Sequence, residues 1–255
     1  MLLAVDIGNT NIVVGISNDE AWTDTWRIQT LTGRTPDEYS IILDNFFEQS
    51  GQRYNQLDAV IISSVVPQLT PSFKSILKQK TGFVPLVLDG TLDTGIAIRG
   101  REPKTIGADL LADAVAAYDH FGDSCIVVDF GSATTVMAIE APGVLLGGAI
   151  CSGLKITADA IVERTAQLPQ IPLELPEKAI GRNTQEAMQS GLVLGHLCMV
   201  EGLIERMQKE LGQKVSVIAT GGLSTTIAHH TDYFDAVDPM LTLNGMRLVA
   251  EREKK

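Results

Sequence analysis

The chain is short of cysteine, of basic residues and of uninterrupted apolar stretches, and each shortage excludes something. Its three cysteines, Cys125, Cys151 and Cys198, are odd in number and far apart. They offer neither a disulfide framework nor a metal spacing such as CxxC, and buried thiols in a reducing cytoplasm account for them. Lysine and arginine number 20 against 31 aspartates and glutamates, a net charge of −11. No basic stripe exists to neutralise phosphates, so nucleic acid and anionic membrane are excluded as partners. No apolar run approaches the length of a membrane span. The N-terminal apolar run has no basic region before it and Asp6 interrupts it early, unlike a signal peptide. A soluble, cytoplasmic protein is expected.

What the chain does have is a hairpin at its start. Leu2-Leu3-Ala4-Val5-Asp6 is an apolar run ending in a carboxylate, Ile7-Gly8-Asn9-Thr10-Asn11 carries a small polar turn, and a second apolar run leaves to Gly15. That reads as strand, tight turn, strand. Gly8 lets backbone come close to a phosphate, Asn9, Thr10 and Asn11 supply donors, and Asp6 can orient a hydrated Mg²⁺. Taken alone, an Asp-x-Gly turn suits a plain hairpin equally well.

The chain does it twice. Cys125 to Ile139 superposes on the first stretch without a gap, with Asp129 on Asp6, Gly131 on Gly8, Ser132 on Asn9 and Ile139 on Ile16. A repeat with a period of half a chain implies two similar lobes, and 255 residues suit two lobes better than one. The expected division is 1–118 and 119–255.

Between the hairpins, Ala21 to Thr30 reads as a third strand, and Thr35-Pro36-Asp37-Glu38 opens a helix with a capping box. Leu57 to Ser64 is a buried strand with a small polar end, and Pro71 to Lys80 a helix. A helix beginning near Thr105 carries Asp109 in or near its first turn. There the helix dipole favours a carboxylate, and the same junction would let Asp109 lean into a cleft as a base. In the second half, Leu154 to Thr165 is a helix, and Leu168 to Pro176 a proline-punctuated crossing. Asn183 to Leu211 is the longest helix, with Gly191 and Gly195 on one stripe. Lys214 to Ser224 is a strand, a Gly221-Gly222 turn and a helix start. That turn suits adenine and ribose lying on backbone, or a plain strand-to-helix turn.

These parts resemble the superfamily of sugar kinases, heat-shock ATPases and actin, and more closely the type III pantothenate kinases, also called Bvg accessory factor homologues. The resemblance rests on Asp6 to Asn11, Gly107-Ala108-Asp109, Asp129 to Thr135, Glu163 to Pro169, Gly181-Arg182-Asn183-Thr184 and Ala219 to Leu223, and covers nearly the whole chain. It implies an α/β fold of two duplicated actin-like (ribonuclease H-like) lobes, each a mixed sheet flanked by helices, with a nucleotide cleft between them. It implies ATP and Mg²⁺ as cofactors, pantothenate as substrate and a homodimer. ATP would be bound by Asp6, Ile7, Gly8, Asn9, Thr10, Asn11, Gly131, Ser132, Gly221 and Gly222. Asp129 would sit at a monovalent cation site (K⁺ or NH₄⁺). Asp109 would be the catalytic base, and Gly100, Gly107, Ala108, Asp109, Leu110 and Thr184 would line the substrate pocket.

The chain departs from the family pattern on the acceptor side. Leu110 stands where an arginine is usual, Gly100 where a tyrosine is frequent, Cys151-Ser152-Gly153 where Pro-Gly follows the strand, and Val136-Met137 where Phe-Asp is customary. Leucine cannot make a bidentate carboxylate contact, so Arg101 or Lys104 is expected to compensate. The alternatives are a kinase for a different small alcohol, or a weakly catalytic nucleotide-binding regulator.

Overall fold

The computed structural model describes residues 1–18, 21–99 and 106–254. In the first sheet, β1 (Leu2–Ile7) and β4 (Ala59–Ser64) are almost continuously buried, whereas β3 (Ala21–Gln29) alternates exposed and half-buried. Central strands covered on both faces carry unbroken apolar runs, and edge strands show a period of two. With β2 (Asn11–Asn18) and β5 (Leu86–Val87) the order is β3-β2-β1-β4-β5. β1 runs antiparallel to β2 and parallel to β4.

Helix α1 (Pro36–Ser50) starts as its sequence requires. The Thr35 hydroxyl accepts from the Glu38 N–H, Glu38 returns the bond, and Gly51 closes the far end in the left-handed region. Tyr39, Leu43 and Phe47 of α1 and Phe73 and Leu77 of α2 (Thr70–Thr81) meet Leu3, Val5, Ile7, Ile12, Val14 and Ile16 in one core.

The second sheet repeats the path. Strands β7 (Cys125–Phe130), β8 (Ala133–Glu140), β9 (Val144–Ser152), β10 (Ser216–Thr220) and β11 (Ala236–Val237) take the places of β1, β2, β3, β4 and β5, and the short β6 (Ala97–Ile98) adds to the outer side of β9. α4 (Leu154–Arg164) follows β9. After the crossing segment come α5 (Thr184–Gln189), a wide π-helical turn at Ser190–Leu194, and α6 (Gly195–Leu211). Leu197, Val200 and Ile204 of α6 pack on Ile126, Val128, Val136 and Val217.

The two compact units do not divide where the sequence suggests. The first comprises Met1–Ile96, α3 (Ala108–Phe121) as far as Ala116, and the chain from Thr242 on; the second takes β6 and Ala117–Leu241. The division expected at 118/119 assigns the last helix, α8 (Leu241–Arg252), to the second lobe, yet most of it packs with the first unit. The Trp22 indole donates to Asn244 Oδ1 at 2.8 Å, Thr242 Oγ1 donates to the buried Asp113 carboxylate at 2.7 Å, and Gly245 lies against the Ala112 backbone so closely that no Cβ would fit.

Two further expectations need correction. The hairpins are not superposable without a gap. Ile7 pairs with Ile12 across a four-residue turn, whereas Phe130 pairs with Thr134 across a three-residue turn. Gly131 and Ser132 still match Gly8 and Asn9, but Ile139 takes the place of Ser17 rather than Ile16. Thr184–Leu211, moreover, reaches membrane-spanning length with a mean hydropathy of 1.3 over its most apolar window. Its apolar side chains at Leu197, Val200 and Ile204 belong to the second core.

Candidate active site

In the first unit, Asp6 and Ser63 lie side by side near the C-terminal ends of the parallel strands β1 and β4, where open α/β sheets place their ligands. The Ser63 hydroxyl donates to Asp6 Oδ1 at 2.8 Å, and Ser63 is fully buried, so the carboxylate is oriented from within the sheet. The Gly8 N–H donates to the Asn11 carbonyl at 3.0 Å and closes the turn. Thr30 braces it from β3's end: its hydroxyl donates to the Gly8 carbonyl at 2.7 Å and its N–H to the Thr10 carbonyl at 2.9 Å. Asn9 and Thr10 form the exposed tip. A Cβ at Gly8 would stand 3.0 Å from the Asn11 oxygen, which explains the glycine.

Asp109 is tied to the same strand ends. The Val65 N–H donates to the Ile7 carbonyl at 3.0 Å, and the Val65 side chain faces Gly107, where a Cβ would come within 2.5 Å of Asp109 Oδ1. Glycine at 107 thus lets the Asp109 carboxylate fold back over the start of α3, where Oδ1 accepts from the Leu110 N–H at 2.8 Å. Burial pushes the Asp109 carboxyl above the ordinary carboxylate range, and the Leu110 N–H opposes that shift only in part. A carboxylate made more basic by its surroundings is what proton abstraction from an alcohol needs. Ala108 is buried beneath it and Leu110 half-buried beside it.

In the second unit, Asp129 occupies the equivalent place on β7, with Thr220 of the parallel β10 beside it and Thr135 of β8 opposite. Two glycines press against its carboxylate. A Cβ at Gly131 would stand 3.1 Å from Oδ2. Gly221, with φ at 91°, lies so close that a Cβ would overlap Oδ1 and stand 2.6 Å from the Phe130 backbone. Gly221 therefore serves close packing on Asp129, and its carbonyl accepts from both the Ser224 N–H and the Ser224 hydroxyl. Gly153 braces the other side of the turn by donating its N–H to the Ser132 carbonyl at 3.1 Å. The Thr135 hydroxyl is buried and has no hydrogen-bond partner among the described residues. Among the described residues no group of three His, Cys, Asp or Glu side chains could hold a metal ion.

Thr184 lines an open groove of about 730 Å³. The walls include Ile161 and Leu168 on one side and Met188, Gly191 and Leu192 on the other, with Arg182 and Asn183 beside Thr184. Gln189 Nε2 donates to the Pro172 carbonyl and the Ser190 hydroxyl to the Ala179 carbonyl, fastening the crossing segment to the helix. Gly100, Arg101 and Lys104 lie outside the described residues.

Sequence reading thus points to Asp6, Asp109 and Asp129, but it misses Ser63, Thr30 and Thr135. Ser63 had a signal: the echo between the strand at Ala59 and the strand at Ser216 sets it opposite Thr220, each neighbouring a repeated aspartate.

Two sheets that share a five-strand order, with an aspartate next to last in β1 and in β7 ahead of a glycine turn, define the duplicated actin-like fold shared by sugar kinases and related ATPases. Among solved structures, the chain is similar to a Campylobacter jejuni protein provisionally described as a Baf family transcriptional activator (TM-score 0.64, 19% identity, 99% of this chain and 98% of that one). It is also similar to the activator of 2-hydroxyisocaproyl-CoA dehydratase from Clostridium difficile, solved with bound ADPNP (TM-score 0.58, 14% identity, 99% and 94% covered). Residues 2–206 match the family profile of type III pantothenate kinase. Relatives named type III pantothenate kinase are 44% identical in Moorella thermoacetica, over 99% of both chains, and 43% identical in a Roseiflexus species, over the full length of both. The chain belongs to the type III pantothenate kinase family, whose members are phosphotransferases.

Proposed function

We propose that the protein transfers the terminal phosphoryl group of ATP to the primary hydroxyl of pantothenate, giving 4′-phosphopantothenate in the first step of coenzyme A biosynthesis. The observation that carries this reading is the full-length similarity to relatives named for the activity. The three aspartates supply a coherent chemistry. Asp109 is the general base: with Oδ1 held by the Leu110 N–H, Oδ2 is the atom to take the hydroxyl proton as the oxygen bonds to the γ-phosphorus and the bond to ADP breaks. The transfer needs little more than alignment and screening of phosphate charge. The Gly8–Asn11 turn and the turn at Gly131 and Ser132 each bring backbone and side-chain donors to phosphate oxygens, and Gly221-Gly222 serves the nucleoside.

Mg²⁺ carried with ATP would neutralise phosphate charge, and Asp6, oriented by Ser63, is the residue suited to its hydration shell. A monovalent cation, K⁺ or NH₄⁺, would add positive charge near Asp129. The unpartnered buried Thr135 oxygen opposite Asp129 supports it, since one carboxylate with hydroxyl and carbonyl oxygens is a donor set for hard cations, not for zinc. Gly107, Ala108 and Leu110 are assigned to binding the acceptor, and Thr184, in the groove of the second unit, is assigned the same task. A homodimer is inferred from the family alone. We assign the protein to the cytoplasm.

Leu110 favours a second reading, a kinase for a different small alcohol, because it puts an aliphatic side chain where a partner for the pantothenate carboxylate is expected. ADP release with ATP, Mg²⁺ and K⁺, with and without pantothenate, separates the two. Pantothenate-dependent turnover that is lost in Asp109→Asn supports the first reading. Binding of ATP by calorimetry, with turnover on other alcohols but not on pantothenate, supports the second. Failure to bind ATP overturns both.

A further inference from the structure

His196 and Thr134 form a buried polar pair that neither the phosphate turn nor the groove by itself explains. Thr134 Oγ1 and His196 Nε2 lie 2.9 Å apart, and the two residues are only 1% and 8% exposed. Thr134 is the first residue beyond the Gly131–Ala133 turn to pair with β7, opposite Phe130. His196 is the second residue of α6, directly after the wide turn at Ser190–Leu194, and Gly191 and Leu192 of that turn wall the groove. The Phe130 ring lies 6.2 Å from the imidazole, centre to centre.

Two apolar side chains at these positions would bury themselves at no desolvation cost, whereas a hydroxyl and an imidazole are tolerated there only because they satisfy each other. What a directional bond adds is register. Apolar contacts let a helix slide or rotate on a hairpin; a hydrogen bond between one atom of each holds one arrangement. The need for such a pin is greatest next to a π-helical turn, where the helix has departed from its regular hydrogen-bond pattern. The bond also joins two parts of this unit, from Ser132 through Thr134 to the helix behind Gly191 and Leu192.

We propose that His196 is a positioning residue for the second phosphate turn: through Thr134 it pins Gly131–Ala133 to the helix that walls the groove. Ser132 is thereby held in place for ATP, and occupation of the groove is felt at the turn. The proposal rests on the reading that this turn contacts ATP.

The test is steady-state kinetics on the full chain with His196→Leu, His196→Gln, Thr134→Val and the double variant His196→Leu/Thr134→Val, with Ser132→Ala as the reference for the turn itself. Leucine keeps the volume and removes the bond; glutamine carries a polar atom to the place of Nε2. His196→Leu is expected to raise the KM for ATP by roughly 3- to 10-fold, the scale of one hydrogen bond. Its kcat stays within about twofold and glutamine restores most of the loss, while the Tm falls because the buried Thr134 hydroxyl is left without its partner, a fall that the double variant recovers. Thr134→Val matches His196→Leu, and the double variant is no worse than either single, as one shared bond requires. The proposal is overturned if His196→Leu leaves the KM for ATP unchanged while Ser132→Ala raises it, if glutamine fails to rescue, or if the two single effects add. If Ser132→Ala leaves the KM for ATP unchanged, the phosphate reading of the turn fails first and takes the proposal with it.

Discussion

Replacing Gly221 by alanine perturbs two things at once, and the structure lets each be weighed. At a φ of 91° an L side chain is strained whatever room it has, at a cost on the order of 1–3 kcal/mol. The added Cβ would also stand 2.6 Å from the Phe130 backbone nitrogen and carbon, which belong to the central strand β7 and cannot swing aside. Overpacking of that kind costs about 1–3 kcal/mol more. The sum, roughly 2–6 kcal/mol, corresponds to a fall in Tm of about 5–20 °C for a protein of this size. The Asp129 carboxylate, pressed by the same Cβ, must shift as well, so the concentration of K⁺ or NH₄⁺ needed for half-maximal activity should rise. Scanning calorimetry measures the first effect and a cation titration of ADP release the second. Gly33→Ala is the control, since nothing lies within 4 Å of its added carbon and its φ is not in the left-handed range. A Gly221→Ala protein whose Tm lies within about 2 °C of the parent would refute the packing argument.

Two other substitutions separate activity from stability. Asp109→Asn should lower kcat by about 10²- to 10⁴-fold, the contribution of a general base, and yet raise the Tm at neutral pH. Burial holds the folded-state carboxyl above its unfolded value, so the native state binds that proton more tightly. The stabilising contribution of the protonated form is lost as pH rises from the ordinary carboxylate range through the raised native value, and the neutral amide escapes that loss. For the same reason the acid limb of kcat/KM in the parent should fall at a pH above that of an ordinary aspartate, and a limb at or below the ordinary range would remove Asp109 as the base. Thr135→Val keeps the shape and deletes a buried, unpartnered hydroxyl, so thermal melts should show no loss of stability; weaker activation by K⁺ or NH₄⁺ in the same variant would identify the hydroxyl as a cation ligand, and unchanged activation would exclude it.

Most of the fold is legible because its signals are local. The capping box at Thr35 and Glu38, the unbroken apolar run at Ala59 to Ile62 and the aspartate-glycine turns each state their conformation within a few residues. The duplication is legible too, but only up to the turn. Gly131 and Ser132 read as copies of Gly8 and Asn9, while the missing turn residue in the second hairpin leaves no mark in a gapless comparison, and only the cross-strand pairing of Phe130 with Thr134 exposes it. The site divides the same way. Asp6, Asp109 and Asp129 announce themselves by type and neighbours. Ser63, Thr135 and His196 are ordinary residues whose surroundings come from elsewhere in the chain: Ser63 bonds to Asp6, 57 residues away, Thr135 stands opposite Asp129 on the neighbouring strand, and His196 bonds to Thr134, 62 residues away. Nothing short-range could reveal that β6 joins the second sheet or that α8 leaves it.

The place of α8 has a consequence for the order in which the molecule comes into being. The bond from Thr242 to Asp113 spans 129 residues of sequence, and that from Trp22 to Asn244 spans 222. A growing chain can form β1 to β5 with α1 and α2 long before α8 exists, and during that time the side of the first unit that later receives Leu243 and Gly245 has no cover. The second unit, nearly all of it between Ala117 and Leu241, is complete before the first can be. Domains made early usually fold early; here the unit that begins first must finish last. Until then it depends on whatever shields nascent apolar surface.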